Sequence, residues 1–247
     1  MRRLTTIAIA AALPIVAAQA ERHVAPVRPY VPVAVTWPQP QADAALDAFR
    51  QDLAKVAKAR IYAELARLVA PQGFFWGRDF ANRFDPRKAG VDNLAAALRL
   101  EHDAGAGWAA LERLADEAGA LPLESRPGVV CAPAPPRFDT IAFDRLIDVT
   151  RTEAGDWVYP RAADAAVRSA PRADAAAIEM LGLHFVRILR RDGTASNPGG
   201  WTQVATPGGA VGFVAPDTLR TLNAPRLCYG KDLTGRWQIT GYIDRGD

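Results

Sequence analysis

Near residue 153 the hydrophobic pattern of this chain changes period, and that change constrains the fold more than any other feature. Before it, apolar residues recur at three- and four-residue steps, the spacing of one helix face. After Gly155 they fall into short runs bounded by turn-forming clusters, the spacing of strands. The expectation is an α+β chain in two parts. Residues 42–153 are expected to form a small α-helical domain, and residues 154–247 an all-β barrel or sandwich with a C-terminal extension.

In the first part, Leu46, Phe49, Leu53 and Val56 share one face, and Ile61, Leu65 and Leu68 continue it after a break near Ala59. Asp43 is an N-cap residue by chemistry, and Pro71 is a stop signal. Asp92 caps a short helix through Leu100, and Gly105 to Ala118 reads as another, with Trp108, Leu111, Leu114 and Ala115 on its apolar side. Pro122 to Pro136 is extended, with a short strand at Val129-Val130-Cys131. Phe138 to Val149 is the last helical pattern, with Ile141, Leu146 and Val149 turned inward. The run Phe74-Phe75-Trp76-Phe80-Phe84 reads either as the core of this part or as an exposed patch for a partner.

In the second part the strand runs are Trp157-Val158-Tyr159, Ala165 to Arg168, His184 to Leu189, Trp201 to Val204, Val211 to Val214 and Gln238 to Ile243. Asp192-Gly193, Asn197-Pro198-Gly199-Gly200 and Pro207-Gly208-Gly209 lie between them as turns. Residues 226–247 add a hairpin or edge. Ala166-Val167-Arg168-Ser169-Ala170-Pro171, then Ala176 to Leu181, His184 to Leu189, Trp201-Thr202-Gln203-Val204 and Gly209 to Val214 resemble, in order and spacing, the motifs of the bacterial SH3-like domain family. The resemblance covers about residues 156–220 and implies an SH3-like barrel. The whole organisation resembles exported proteobacterial proteins that carry this barrel after a helical region.

The N-terminus supplies the compartment. Arg2 and Arg3 precede an apolar run from Leu4 to Ala18, and Ala18-Gln19-Ala20 fits a cleavage site. Residues 1–20 therefore read as a secretory signal peptide, with a periplasmic or secreted product and no transmembrane anchor once it is cleaved. Residues 21–41 read as a proline-rich linker, because Pro26, Pro29, Pro32, Pro38 and Pro40 forbid a helix. Removing Arg2 and Arg3 from the 30 basic side chains leaves 28 against 27 acidic ones, which gives no basis for nucleic-acid binding. Two cysteines in an exported chain invite one disulfide, Cys131 to Cys228, that would staple the two parts together; two buried thiols are the alternative.

Catalytic chemistry is sparse. His23, His102 and His184 show no metal-ligand spacing. Cys131 sits in an extended proline-rich stretch rather than at the start of a helix, unlike an activated nucleophile. Glu64, Glu101, Glu112 and Glu117 read as a solvated helix face, and Asp79, Asn82 and Asp85 as a turn-capping loop. The terminal Arg245-Gly246-Asp247 is too short a motif to carry a function. The expectation is a non-enzymatic periplasmic binding module with no cofactor and no metal. Its ligand would be a peptidoglycan peptide or an envelope protein, held against Trp157, Tyr159, Trp201 and Phe213 in a barrel-surface groove. A cell-wall hydrolase with its catalytic groups in the helical part, and a structural or assembly subunit using the Phe74–Phe84 patch, are the alternatives.

Overall fold

A computed structural model describes residues 27–37, 43–77, 84–101, 105–117, 119–190 and 199–244. The expected signal peptide, His23, His102, Asp79, Phe80, Asn82, the expected turns at Asp192-Gly193 and Asn197-Pro198, and Arg245-Gly246-Asp247 lie outside the described residues. The first described segment is not a free linker. Val33 and Val35 are buried, as is Tyr30, and Val35–Thr36 forms strand β1. From Val33 on the side chains alternate, Val33 and Val35 inward and Ala34 and Thr36 exposed, a pattern the prolines of the segment obscure.

Asp43 caps helix α1 (Ala44–Ala59), its carboxylate accepting from the N–H groups of Ala45 and Leu46 at 3.0 and 2.9 Å. The helix ends where Arg60 turns left-handed, and α2 (Tyr62–Leu68) follows. Strand β2 (Phe75–Trp76) precedes α3 (Gly90–Leu98) and α4 (Ala106–Ala115). Leu53, Leu65, Leu94 and Leu111 are fully buried where these helices meet, each contributing roughly 1.5–3 kcal/mol by transfer. Strands β3 (Leu121–Pro122), β4 (Val130–Ala132) and β5 (Arg137–Phe138) lead to α5 (Thr140–Thr150).

Helix α5 corrects one expectation. Ile141 and Val149 are 80% and 69% exposed, and the buried face carries Phe143 and Leu146 with Ala142 and Ile147 beside them. Phe143, Leu146 and Ile147 follow the i, i+3, i+4 rule, which the choice of Ile141 with Leu146 does not.

The second half is all strand: β6 (Trp157–Pro160), β7 (Ala165–Arg168), β8 (Ala177–Leu181), β9 (Val186–Ile188), β10 (Thr202–Ala205), β11 (Val211–Val214), β12 (Leu219–Thr221), β13 (Arg226–Lys231) and β14 (Trp237–Ile243). Seven of these form one antiparallel sheet in the order β12-β6-β9-β10-β11-β7-β8. Val158, Val167, Leu181, Val186, Val204 and Val214 meet in a single cluster with Leu219 packed against it. Every strand reaches that cluster, so the sheet curls around its own core. It is not a closed barrel, because β8 and β12 remain unpaired edges. At Gly212 an added Cβ would lie 2.6 Å from Val167 and 2.7 Å from the Arg168 carbonyl, so this crossing admits only glycine.

The tail belongs elsewhere. Strands β13 and β14 join a five-stranded sheet, β2-β14-β13-β4-β3, with the strands that precede α5. One face, with Val130, Ala132, Leu227, Tyr229 and Ile239, packs on α1 to α4. The other carries Cys131 and Cys228, which sit opposite each other on β4 and β13 and are disulfide-bonded, 97 residues apart in sequence. The bond therefore closes a single sheet. Everything between Ala132 and Arg226, including the whole seven-stranded sheet, is an insertion between two neighbouring strands of this stapled unit. The segment 27–37 crosses back to lie on the inserted unit.

Candidate functional site

The four aromatic residues expected to hold a ligand divide into two pairs. Trp157 is 0% and Tyr159 2% exposed. They lie on the outer face of the seven-stranded sheet but under Tyr30, Val33, Val35 and α5. Trp157 meets Tyr30 edge-to-face at 5.0 Å, and its Nε1 donates to Thr152 Oγ1 at 2.8 Å. Both are core residues, and Tyr159 also borders a small cavity of about 30 Å³ beside Pro133, Pro135 and Leu222. The strand pattern alone cannot reveal this, because the cover comes from distant segments. Trp201 and Phe213 are half-buried. Phe213 pairs with Gln203, and Trp201 precedes Gln203 by two residues, so both aromatics share one face.

The aromatic run of the helical part is mostly interior. Phe74 is buried, Trp76 and Phe84 pack on the same core, and Phe75 lies on the disulfide face with Arg126 over its ring at 4.1 Å. His184 is half-buried beside the bridge to Ala34. Asp85 is held down below the usual carboxylate range by Arg87, as a turn would require.

A broad concavity lies on the stapled unit, in a place the sequence did not mark. It has a volume of about 1160 Å³ and runs between α1, α2 and the β13–β14 hairpin. Phe49, Leu68 and Trp237 supply apolar floor, all half-buried. Arg67, Lys231 and Arg236 stand at its rim with Gln72 and Gln238; Asp232 is the one acidic lining residue.

Asp43 organises this rim. While capping α1 it accepts from Trp237 Nε1 at 3.4 Å and pairs with Lys231 Nζ at 3.5 Å, and Lys231 lies 4.7 Å over the Trp237 ring. Its carboxyl is lowered, first by the Leu46 N–H and also by Trp237 and Lys231. Asp232 folds the hairpin turn. It accepts from the Thr234 hydroxyl at 2.6 Å and from the Thr234 and Arg236 N–H groups at 2.8 and 3.0 Å. These contacts, the Thr234 hydroxyl foremost, lower its carboxyl to about 2. Each rim cation has a carboxylate beside it: Lys231 pairs with Asp43, Arg236 with Asp232 at 3.1 Å and Arg67 with Glu64 at 3.0 Å, so the rim is a row of solvent-exposed ion pairs over an aromatic floor. Such a surface can bind extended chains that carry carboxylates.

Glu117, expected on a solvated face, is buried. It accepts from Arg161 Nη2 at 2.9 Å and is ion-paired with Arg220. Burial lowers Arg220 to about 10, so it stays charged at neutral pH. Arg220 also lies 5.3 Å from the Trp37 ring. This triad joins the chain just after α4 to the inserted unit. Among the described residues, no group of three or more histidine, cysteine or carboxylate side chains is placed to hold a metal, and no helix is long and apolar enough to cross a membrane.

No family model, curated protein or solved structure matches this chain.

Proposed function

We propose that this chain is an exported, non-enzymatic binding protein of the cell envelope. It holds an extended, carboxylate-bearing peptide, from peptidoglycan or from an envelope protein, in the groove between α1, α2 and the β13–β14 hairpin. The observation that carries this reading is the groove itself: an aromatic floor beneath three cationic side chains, with a single acid in the lining. The disulfide supports the oxidising compartment that the leader implies. The curled seven-stranded sheet, with its motifs in the order of the SH3-like family, supports the reading of the inserted unit as an SH3-like module. Trp201 and Phe213 remain candidates for a secondary contact on that module.

The test is co-sedimentation of the mature protein with purified sacculi, repeated with Arg67→Ala/Lys231→Ala. The wild-type protein is expected in the pellet and the double variant mostly in the supernatant. A wild-type protein that stays in the supernatant ends the wall reading. Release of muropeptides, lost on substitution of one carboxylate, would replace binding with hydrolysis.

A further inference from the structure

A second cavity, on the inserted unit, has lining chemistry that calls for an anion. It measures about 780 Å³ and lies between the segment 27–31, the C-terminal end of α5 and strand β9. Three arginines line it, Arg28, Arg151 and Arg187, and no acidic residue does. Its other polar side chains are already engaged: the Tyr30 hydroxyl donates to the Ala205 carbonyl at 3.0 Å, and Thr150 Oγ1 contacts the Leu146 carbonyl at 2.6 Å.

Arg187 carries the argument. It sits mid-strand, opposite Trp157 on β6 and Ala205 on β10, so its backbone is fixed on both sides. Its Nε is buried and has no hydrogen-bond partner, and among the described residues no carboxylate pairs with its guanidinium. A buried donor without an acceptor is destabilising, and more so when it belongs to a charged group. Arg151 follows the C-terminus of α5, where a cation is favourable on its own account, but no helix end explains Arg187. Glu179 is near enough to Tyr30 to act on its phenol, yet it lines no part of this cavity. At the cavity, Val31 and Val149 are 82% and 69% exposed, offering apolar surface beside the charges.

We propose that this cavity is a binding site for an oxyanion, a carboxylate or a phosphate, gripped by the Arg187 guanidinium with Arg28 and Arg151 beside it. A planar fork of N–H donors suits either group, and the exposed valines accommodate an apolar chain attached to it. The site is separate from the hairpin groove and does not depend on the function proposed for it.

The experiment titrates the mature protein with sodium acetate, inorganic phosphate and dodecanoate by calorimetry, alongside Arg187→Met and Arg187→Lys. At least one probe is expected to bind saturably at one site. Arg187→Met should weaken it by at least about tenfold, the loss expected for a charged hydrogen bond. Which probe binds identifies the anion: acetate marks a carboxylate site, phosphate a phosphate site, and dodecanoate alone an amphiphile site. Arg187→Lys keeps the charge but loses the fork, and should bind with intermediate affinity. In anion-free buffer Arg187→Met should melt at or above the wild-type temperature, because the variant removes a buried Nε–H that has no acceptor. The proposal is overturned if no probe binds, if binding is the same in wild type and Arg187→Met, or if that variant melts lower without ligand. If Arg187→Met does not fold, Arg187→Lys binding as tightly as wild type overturns it equally.

Discussion

The two larger sheets of this molecule are assembled in different ways. The seven-stranded sheet takes every strand from residues 157–221, and three of its six pairings join strands consecutive in the chain. The five-stranded sheet collects Phe75–Trp76, Leu121–Pro122 and Val130–Ala132, then waits for residues 226–243. Closing such distant pairings costs chain entropy that rises with loop length. The disulfide is found on the sheet that bears this cost, at the junction where the insertion begins and ends. A covalent link is most useful where pairing is least local.

The largest effect expected follows from that placement. Cys131→Ala/Cys228→Ala should destabilise the protein by about 4.7 kcal/mol in the chain-entropy account, because the bond spans 97 residues. Urea titration followed by far-ultraviolet circular dichroism and tryptophan fluorescence measures it. Coincident curves with this loss are the expected result. If the inserted sheet stays folded while the stapled one opens, the effective loop is short. The loss then shrinks and two transitions separate, which would turn the contrast between the sheets into true independence.

Trp157 probes the same contrast from the inserted side. It is fully buried against Tyr30, so Trp157→Ala should cost roughly 3–5 kcal/mol. Trp201→Ala, at a half-buried position, should cost roughly 1 kcal/mol. Thermal melts of both variants give the comparison. A small loss at Trp157 would mean that the cover of segment 27–37 and α5 contributes little, and that the outer face is open after all.

Local chemistry was legible in the sequence, and partnership was not. The Asp43 cap, the end of α1 near Ala59, the cysteine pair and the cores of β6, β7, β10 and β11 follow from propensity, capping and spacing within a few residues. The placement of β13 and β14 does not, because an alternating strand reads the same whichever sheet it joins. Val33 and Val35 were hidden by the prolines around them. Phe49 and Trp237 show no joint signal, because the groove they floor exists only once residues far apart in sequence are paired. Glu117 ends a run of charged helix positions, and its burial depends on Arg161 and Arg220 arriving from the other unit.

That triad is the next test. Glu117→Ala leaves two buried or partly buried arginines unpaired and should cost about 3 kcal/mol, little affected by salt because the acid is shielded from solvent. Arg161, about a third exposed, tolerates loss of its partner better than Arg220. If denaturation of Glu117→Ala splits into two transitions where the wild type shows one, the triad is what couples the units. A loss near zero would assign the coupling to segment 27–37 instead.

The smallest effect expected is confined to one turn, and it separates the sheets by pH. The Asp232 carboxyl is lowered from 3.8 to about 2, foremost by the Thr234 hydroxyl and then by the Arg236 N–H. A carboxyl with a lower value in the folded state binds its proton less readily there than in the unfolded chain. Its contribution is therefore complete above pH 3.8 and is lost as pH falls toward about 2. Asp232 lies in the β13–β14 turn, so acid should loosen the stapled sheet there while leaving β9, β10 and β11 unaffected. Carboxyl-observed NMR is expected to show an Asp232 midpoint near 2, with the Thr234 and Arg236 amides moving alongside it. In Asp232→Asn those amides should no longer titrate. A midpoint near 3.8 would show that the turn's hydrogen bonds do not persist in solution. The hairpin wall of the groove would then be mobile, and the ordered aromatic floor on which peptide binding rests would be lost with it.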